Sequence, residues 1–509
     1  MKKRTRYVVK AGIVAAAFVS AAAQAALQPA SLFTDHMVLQ RDRPVPVWGT
    51  ADPGATVTVG FAGQIKQGKA DSGGTWNVAL EPLSASTKPR TMEISCSNHP
   101  TIAYSNVVVG EVWICSGQSN MQFPVASVPE IKALETTAEN IRCFEVKRTV
   151  ALTGQDSCEG GWVVRHPNSA VAFSFAYFLE QAAEVPVGIV LTCWGSSSIE
   201  AWMPRDMTET VPHFKTMMAE FDADTATRDK IQAILDGPKP WSKQDDVFLR
   251  RQSNILYNAM MHPLAPYACR GLVWYQGERN TQSMFGMIDE PWFSRNSGML
   301  NYADTLQQWM KRLRSEWGQD EFHFLVVMLP GYYKQLPTGP QEGPESPVAH
   351  SWAWMRESQL KALDLPGVGV ANTIDLGDVK NVHPKDKLPV GQRLALLAQR
   401  DTLGMDVEAQ GPVFRGLERK GTTLVLSFDH AEELKTTDGE RPKGFWLTDD
   451  SGKWVPATAA INGQTVVLES AGLKKPLHVR YAFAGKPEVN LVNGAGLPAY
   501  PFRTDRFEP

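Results

Sequence analysis

The rhythm of apolar and polar positions changes twice along this chain. From residue 32 to about 106 the apolar residues come in short β-branched runs, such as Val45-Pro46-Val47-Trp48-Gly49 and Thr56-Val57-Thr58-Val59. Asp52-Pro53-Gly54 and Asp71-Ser72-Gly73-Gly74 punctuate them as turn signals. Short strands at this spacing predict a small β-sandwich. From 107 to about 403 the pattern differs. Compact apolar runs at 107–109, 112–114, 187–191, 271–275 and 324–329 predict strands, and 170–183, 255–264 and 302–317 carry apolar residues at helical spacing. Lys311, Arg312 and Arg314 close the last of these, where cations suit a helix C-terminus. Strands alternating with helices predict an α/β unit with a mainly parallel sheet. After Asp406 the β rhythm returns, in 424–428, 465–468 and 477–481, with Gly439, Gly452 and Gly463 between the runs. The chain therefore divides into a β-rich unit at 26–106, an α/β unit at 107–405 and a second β-rich unit at 406–509. The Pro/Gly-rich stretch 337–347 predicts an irregular loop at the rim of a cleft.

The first 25 residues stand outside this scheme. Lys2, Lys3, Arg4 and Arg6 precede an apolar run from 11 to 23, and Ala23-Gln24-Ala25 fits cleavage at small residues. This is the pattern of an export signal, so the mature chain is expected in the periplasm or secreted. The run is shorter than the ~20 apolar residues of a membrane span, and no later segment is long and apolar enough to be one. A chain of 509 residues exceeds one core, in line with several units. Its net charge of −3 lacks the basic surplus of a nucleic-acid binder. Fifteen tryptophans suit β-rich domains and sugar-facing clefts. Export permits disulfides, and Cys143 with Cys158 is the first choice of pair, whereas Cys115 and Cys193 end apolar runs and read as buried thiols. No Cys-x-x-Cys pair supports a metal or redox motif, and no cofactor is expected.

The chemistry gathers at the predicted strand ends, where α/β sheets bind ligands. The first apolar run stops at Ser116-Gly117-Gln118-Ser119-Asn120, which makes Ser119 the candidate nucleophile. The second stops at Trp194-Gly195, where a glycine lets backbone N–H groups approach a substrate oxygen. The third stops at Gln276-Gly277-Glu278-Arg279-Asn280, and the Gln276 amide is a candidate donor to that oxygen. His383 follows the apolar stretch 368–374 in a polar loop and is the candidate base. Asp378, five residues earlier, is the first choice to orient the imidazole. Arg279, Asn280, Tyr257, Asn258, Trp202 and Arg356 lie in or near these loops and are candidate sugar contacts, by stacking or by hydrogen bonds to hydroxyls.

Together these motifs resemble a known group. Gly117-Gln118-Ser119-Asn120-Met121, Trp194-Gly195-x-x-x-Ile199-Glu200-Ala201-Trp202, Trp274-Tyr275-Gln276-Gly277-Glu278-x-Asn280 and His383-Pro384 are similar to those of the sialate O-acetylesterase group of SGNH hydrolases. The opening at 32–40 and the ending at 496–505 resemble it too, so the likeness spans most of the chain. It implies an SGNH-like α/β domain and a metal-independent serine esterase that deacetylates carbohydrates. Ser119 matches the nucleophile, His383 the base and Gly195 the second oxyanion loop; the Ser119 N–H would complete the hole. Ser196 stands where relatives often have a second glycine. SGNH hydrolases often place Asp three residues before the histidine, a position held here by Lys380; two before is Asn381. Glu278 is the alternative orienter, because related acetyl-xylan esterases use a glutamate of this loop. A dyad steadied by a backbone carbonyl is a third arrangement. The implied substrate is acetylated sialic acid or an acetylated plant polysaccharide such as xylan or xyloglucan. The other class of reading is a non-catalytic carbohydrate-binding protein in which the serine and histidine are inert.

Overall fold

One long strand links the first two sequence rhythms. The computed structural model of the protein describes residues 26–97, 99–283, 301–319, 321–333, 343–347 and 351–506; the expected export signal, residues 1–25, lies outside them. Strand β1 (Ile102–Gly117) is half-exposed up to Asn106 and wholly buried from Val107 onwards. Its first half pairs antiparallel with Ser86–Cys96 in the N-terminal β unit. Its second half runs parallel to two central strands. A half-solvated antiparallel strand alternates in sequence, whereas a parallel strand covered on both faces reads as a continuous apolar run. Within this one strand burial changes at 106/107, whereas the neighbours change at 110/111. Residues 107–110 still pair with Val38–Gln40, Ser86 and Arg90, and 111–117 pair with the two central strands. In the N-terminal unit Thr56–Phe61 and Gln64–Lys69 extend the sheet of β1 through Ser86–Cys96, and Gln28–Pro29, Val45–Thr50 and Thr75–Leu80 form a second sheet.

The central sheet holds β2 (Ile141–Glu145), β3 (Val187–Cys193), β1, β4 (Gly271–Tyr275), β5 (His323–Val327) and β6 (Val368–Ala371) in that spatial order, all parallel. The chain proceeds to one side of β1 with β2 and β3, and to the other with β4, β5 and β6. Reversal of strand order opens a crevice at the carboxyl ends, here at β1. Helices α1 (Ala170–Ala183) and α4 (Leu388–Leu397) cover one face, with Phe175 edge-on to Trp113 at 5.5 Å. They meet closely, since a Cβ on Gly391 would lie 1.9 Å from Ser174 Oγ. Helices α2 (Tyr302–Trp317) and α3 (Ser351–Leu360) cover the other, with Trp309 4.5 Å from Trp274. Ser169 caps α1 by accepting from Ala172 N at 3.1 Å.

Charged residues pin the flanking units to this sheet. Glu111 is fully buried in β1 and accepts from Arg41 Nε (2.5 Å), Arg270 Nε (2.7 Å) and Gln40 Nε2 (3.2 Å). Burial alone would raise its carboxyl pKa; the hydrogen bonds and charges of Arg270 and Arg41 outweigh that and hold it below the ordinary value. On the other side Arg356, expected near the sugar, is completely buried. It donates to the carbonyls of Leu329, Pro330, Ala484 and Gly485, and so ties the end of β5 to the C-terminal β unit. Burial pulls its guanidinium down to about 9. Arg503 reinforces the joint through both oxygens of Glu357 on α3.

The expected Cys143–Cys158 bridge is not formed, and all six cysteines are unpaired. Cys143 sits inside β2, while the Cys158 Sγ lies 3.6 Å from Ser31 Oγ. A cysteine within a central strand has its side chain committed to the core, which spacing along the chain does not reveal. Cys115 and Cys193 are buried thiols, as their apolar runs predict. Among the described residues no helix is long and apolar enough to cross a membrane.

Candidate active site

The turn after β1 needs glycine at one position. Gly117 adopts φ +137°, and a Cβ there would lie 2.1 Å from Tyr275 O. The close approach lets Gln118 N donate to Tyr275 O (3.0 Å) and Trp194 N donate to Gly117 O (3.1 Å), so the ends of β3 and β4 grip the turn from both sides. Ser119 follows, half-buried, with its Oγ 2.7 Å from His383 Nε2. Residues 264 apart in sequence thus form the hydrogen-bonded pair that an activated nucleophile requires.

The histidine loop is shaped by its own side chains. Asp378 Oδ1 accepts from the N–H groups of Lys380 (2.7 Å) and Asn381 (3.0 Å), and Asn381 Oδ1 accepts from His383 N (3.0 Å). Asp378 was expected to orient the imidazole; it serves an Asx turn instead, a habitual use of aspartate in loops. The alternative, Glu278, accepts from Asn120 Nδ2 at 2.5 Å. Among the described residues neither carboxylate is bonded to His383. Burial, and after it the charge of Lys387, holds the imidazole pKa below its ordinary value.

Asn120 is the hub beneath the pair. Besides Glu278, its Nδ2 donates to Val382 O (3.0 Å), next to His383, and its Oδ1 accepts from Lys387 Nζ (2.7 Å). Burial pushes Glu278 up to about 7 and Lys387 down to about 7; each charge partly offsets the other's shift. Asn120 lies inside the serine motif, so a signal for it existed. Lys387 had none, being one lysine in a polar loop.

Gly195 sits beside the serine. A Cβ on it would come within 3.2 Å of Ser119 Cβ. Its N–H donates to Gln122 Oε1 at 2.9 Å, so a protein oxygen already occupies this donor. The Ser119 N–H has no hydrogen-bond partner among the described residues. Ser196 adopts φ +62°, the left-handed region that glycine enters at no steric cost. A small pocket of about 210 Å³ opens beside Gln122 and is also lined by Pro124, Glu145, Arg148, Asn168 and Cys193.

The other expected contacts turn inward. Gln276, expected at the oxyanion, is fully buried; its Nε2 lies 2.9–3.1 Å from Gln118 Oε1, Ser197 O and Asn280 Oδ1, and its Oε1 accepts from Tyr302. Asn280 also accepts from Ile199 N and reaches Glu200. Arg279 is buried and its main-chain N–H donates to Gln118. Trp202 is fully buried, bonded to Ser197 Oγ and edge-on to Trp274. Tyr257 donates to Glu316 at 2.6 Å, and Asn258 to Ala151 O and Asn254. These polar groups tie one strand-end loop to the next, because backbone leaving a buried sheet must be satisfied internally. Among the described residues no group of His, Cys, Asp and Glu is placed to hold a metal.

A serine–histidine pair at the switch point of a parallel sheet, with a glycine of the next strand end beside it, defines an SGNH-type α/β hydrolase. Comparison with known proteins is specific. The family model for carbohydrate esterases of the sialic acid-specific acetylesterase type matches residues 109–236. The sialate O-acetylesterase of Rattus norvegicus is 28% identical over 90% of this chain and 90% of its own. The Homo sapiens sialate O-acetylesterase is 26% identical over 93% and 91%. The crystal structure of a carbohydrate acetylesterase from Xanthomonas citri superposes with a TM-score of 0.77 at 31% identity, covering 94% of this chain and all of that one. The chain belongs to the sialate O-acetylesterase group of carbohydrate acetylesterases and is an esterase.

Proposed function

We propose that this protein is an exported serine esterase that removes O-acetyl groups from carbohydrates through an acetyl-Ser119 intermediate. The observation that carries the reading is the 2.7 Å contact between Ser119 Oγ and His383 Nε2. His383 takes the hydroxyl proton as Ser119 attacks the acetyl carbonyl carbon. The carbonyl oxygen becomes an oxyanion, accepting from the N–H groups of Ser119 and Gly195. To reach Gly195, it displaces the Gln122 side chain. The intermediate collapses, the C–O bond to the sugar breaks, and the departing oxygen takes the proton from His383. Water, deprotonated by His383, then attacks the acetyl-Ser carbonyl; the bond to Ser119 Oγ breaks, Ser119 takes the proton back from His383, and acetate leaves. The substrate is an acetylated plant polysaccharide or oligosaccharide, such as xylan or xyloglucan, or acetylated sialic acid.

The test is acetate release from a panel of acetylated xylan, xyloglucan and sialic acid, with 4-nitrophenyl acetate as a general ester. Release from at least one sugar ester supports the reading. Turnover of none of the sugar esters by folded protein would overturn it. The pH profile is a second check. The base must be neutral, and burial with the nearby Lys387 charge disfavours the imidazolium. kcat/KM, which reports groups of the free enzyme, is therefore expected to rise through an inflection below pH 6.5 and level off above it. A profile flat from pH ~5 to ~8 would count against a histidine base.

A further inference from the structure

The C-terminal β unit carries an open cleft of about 780 Å³ that the proposed reaction does not use. Trp446, Lys453 and Trp454 line it from that unit, and Pro344, Glu345 and Pro347 line it from the segment 343–347. Trp446 lies in the strand Phe445–Thr448 opposite Arg480 of His478–Tyr481, and paired residues face the same side of a sheet. The Arg480 guanidinium lies 4.4 Å from the centre of the Trp454 ring. Arg480 is itself buried, gripped by both oxygens of Asp505 at 2.8 Å and bonded to Pro347 O. The cleft is thus a built surface: a cation clamped from below supports one indole, and the second stands on the same face.

Both indoles are half-buried, and among the described residues neither N–H has a hydrogen-bond partner. Core indoles differ among themselves: Trp162, Trp202, Trp274, Trp309 and Trp317 donate to protein acceptors, while Trp76 and Trp113 have no partner among the described residues. What marks Trp446 and Trp454 is that their donors and faces border an open cleft. Two rings with an apolar face, a free donor and a charged rim of Lys453 and Glu345 match the pyranose ring of a sugar, which has apolar C–H faces and a girdle of hydroxyls. An open trough suits a chain of such rings better than a single residue.

We propose that this cleft is a second carbohydrate site, which holds a stretch of neutral glycan chain on Trp446 and Trp454 while another part of the same polymer reaches Ser119. That the bound chain is also the acetylated one rests on the esterase reading; the binding itself does not, and the two are measured apart. Binding of xylohexaose and cellohexaose to the full chain is followed by calorimetry in a Ser119→Ala background. Trp446→Ala and Trp454→Ala are each expected to weaken hexasaccharide binding about tenfold, the scale of one lost stacking contact. Trp446→Phe keeps the stack and is expected to bind more tightly than Trp446→Ala. With Ser119 intact, the tryptophan variants are expected to raise KM for acetylated xylan and leave 4-nitrophenyl acetate turnover unchanged, which also shows that they fold. Absence of hexasaccharide binding, binding indifferent to both tryptophans, or a preference for a proline-rich peptide would overturn the proposal. Hexasaccharide binding without any ester turnover would leave the site standing and remove the esterase reading.

Discussion

Ser119→Ala is expected to abolish acetate release, with kcat falling on the order of 10⁴–10⁶-fold, the scale seen when a nucleophilic serine is removed. The loss is chemical, not structural. Among the described residues Ser119 Oγ has one side-chain partner, His383, and the turn around it is held by backbone bonds from Gln118 and Trp194. The variant should therefore unfold at the wild-type temperature. His383→Ala is expected to match it, because a serine without its base is a weak nucleophile. The decisive measurement is the double variant. Two groups that act as one unit are not additive, so Ser119→Ala with His383→Ala should lose no more than either alone. If the two losses multiply, the residues act independently and the 2.7 Å contact is not the catalytic one. If Ser119→Ala keeps full activity, the nucleophile lies elsewhere.

The pieces of this site that could be read along the chain share one property: each ends a buried strand. The run 107–114 is apolar because β1 is covered on both faces there, and it must stop where the crevice opens. Gly117, Ser119 and Gly195 inherit their places from that rule. His383 was legible for a different reason, as a lone histidine in a polar loop after the last apolar stretch. What stayed hidden depends on inward or outward direction. Gln276, Asn280 and Trp202 belong to the same loops as Ser119, yet they point beneath the crevice and stitch the loops together. A loop has no periodicity, so nothing in the order of residues separates a side chain that faces the substrate from one that faces the core. Arg356 failed similarly, since its partners Ala484 and Gly485 come from a unit more than a hundred residues away. The strand β1 blurred a boundary because a change of burial within one strand and a change of domain leave the same mark on hydropathy.

Asn120→Ala is expected to cost about 1–3 kcal/mol of stability, the scale for leaving buried polar partners unsatisfied. Asn120 is the bridge between Lys387 and Glu278, and its loss leaves an amine and a carboxyl facing each other across a void. It also releases Val382 O, and with it the neighbouring His383. A catalytic group misplaced by about 1 Å can lose on the order of 10²-fold in rate, so kcat should fall by that factor even below the unfolding temperature. Lys387→Met separates the electrical part of this arrangement from the mechanical one. The stem still fills the space beside Phe123 and Tyr275, but the charge that disfavours the imidazolium is gone. The His383 pKa should therefore rise, and the acid limb of kcat/KM should move to higher pH. Glu278, deprived of the same cation, should move further up and stay protonated at neutral pH. A purely structural lysine would lower stability and leave the limb where it was; a shift to higher pH with kcat on the plateau preserved would show that Lys387 sets the strength of the base from behind it.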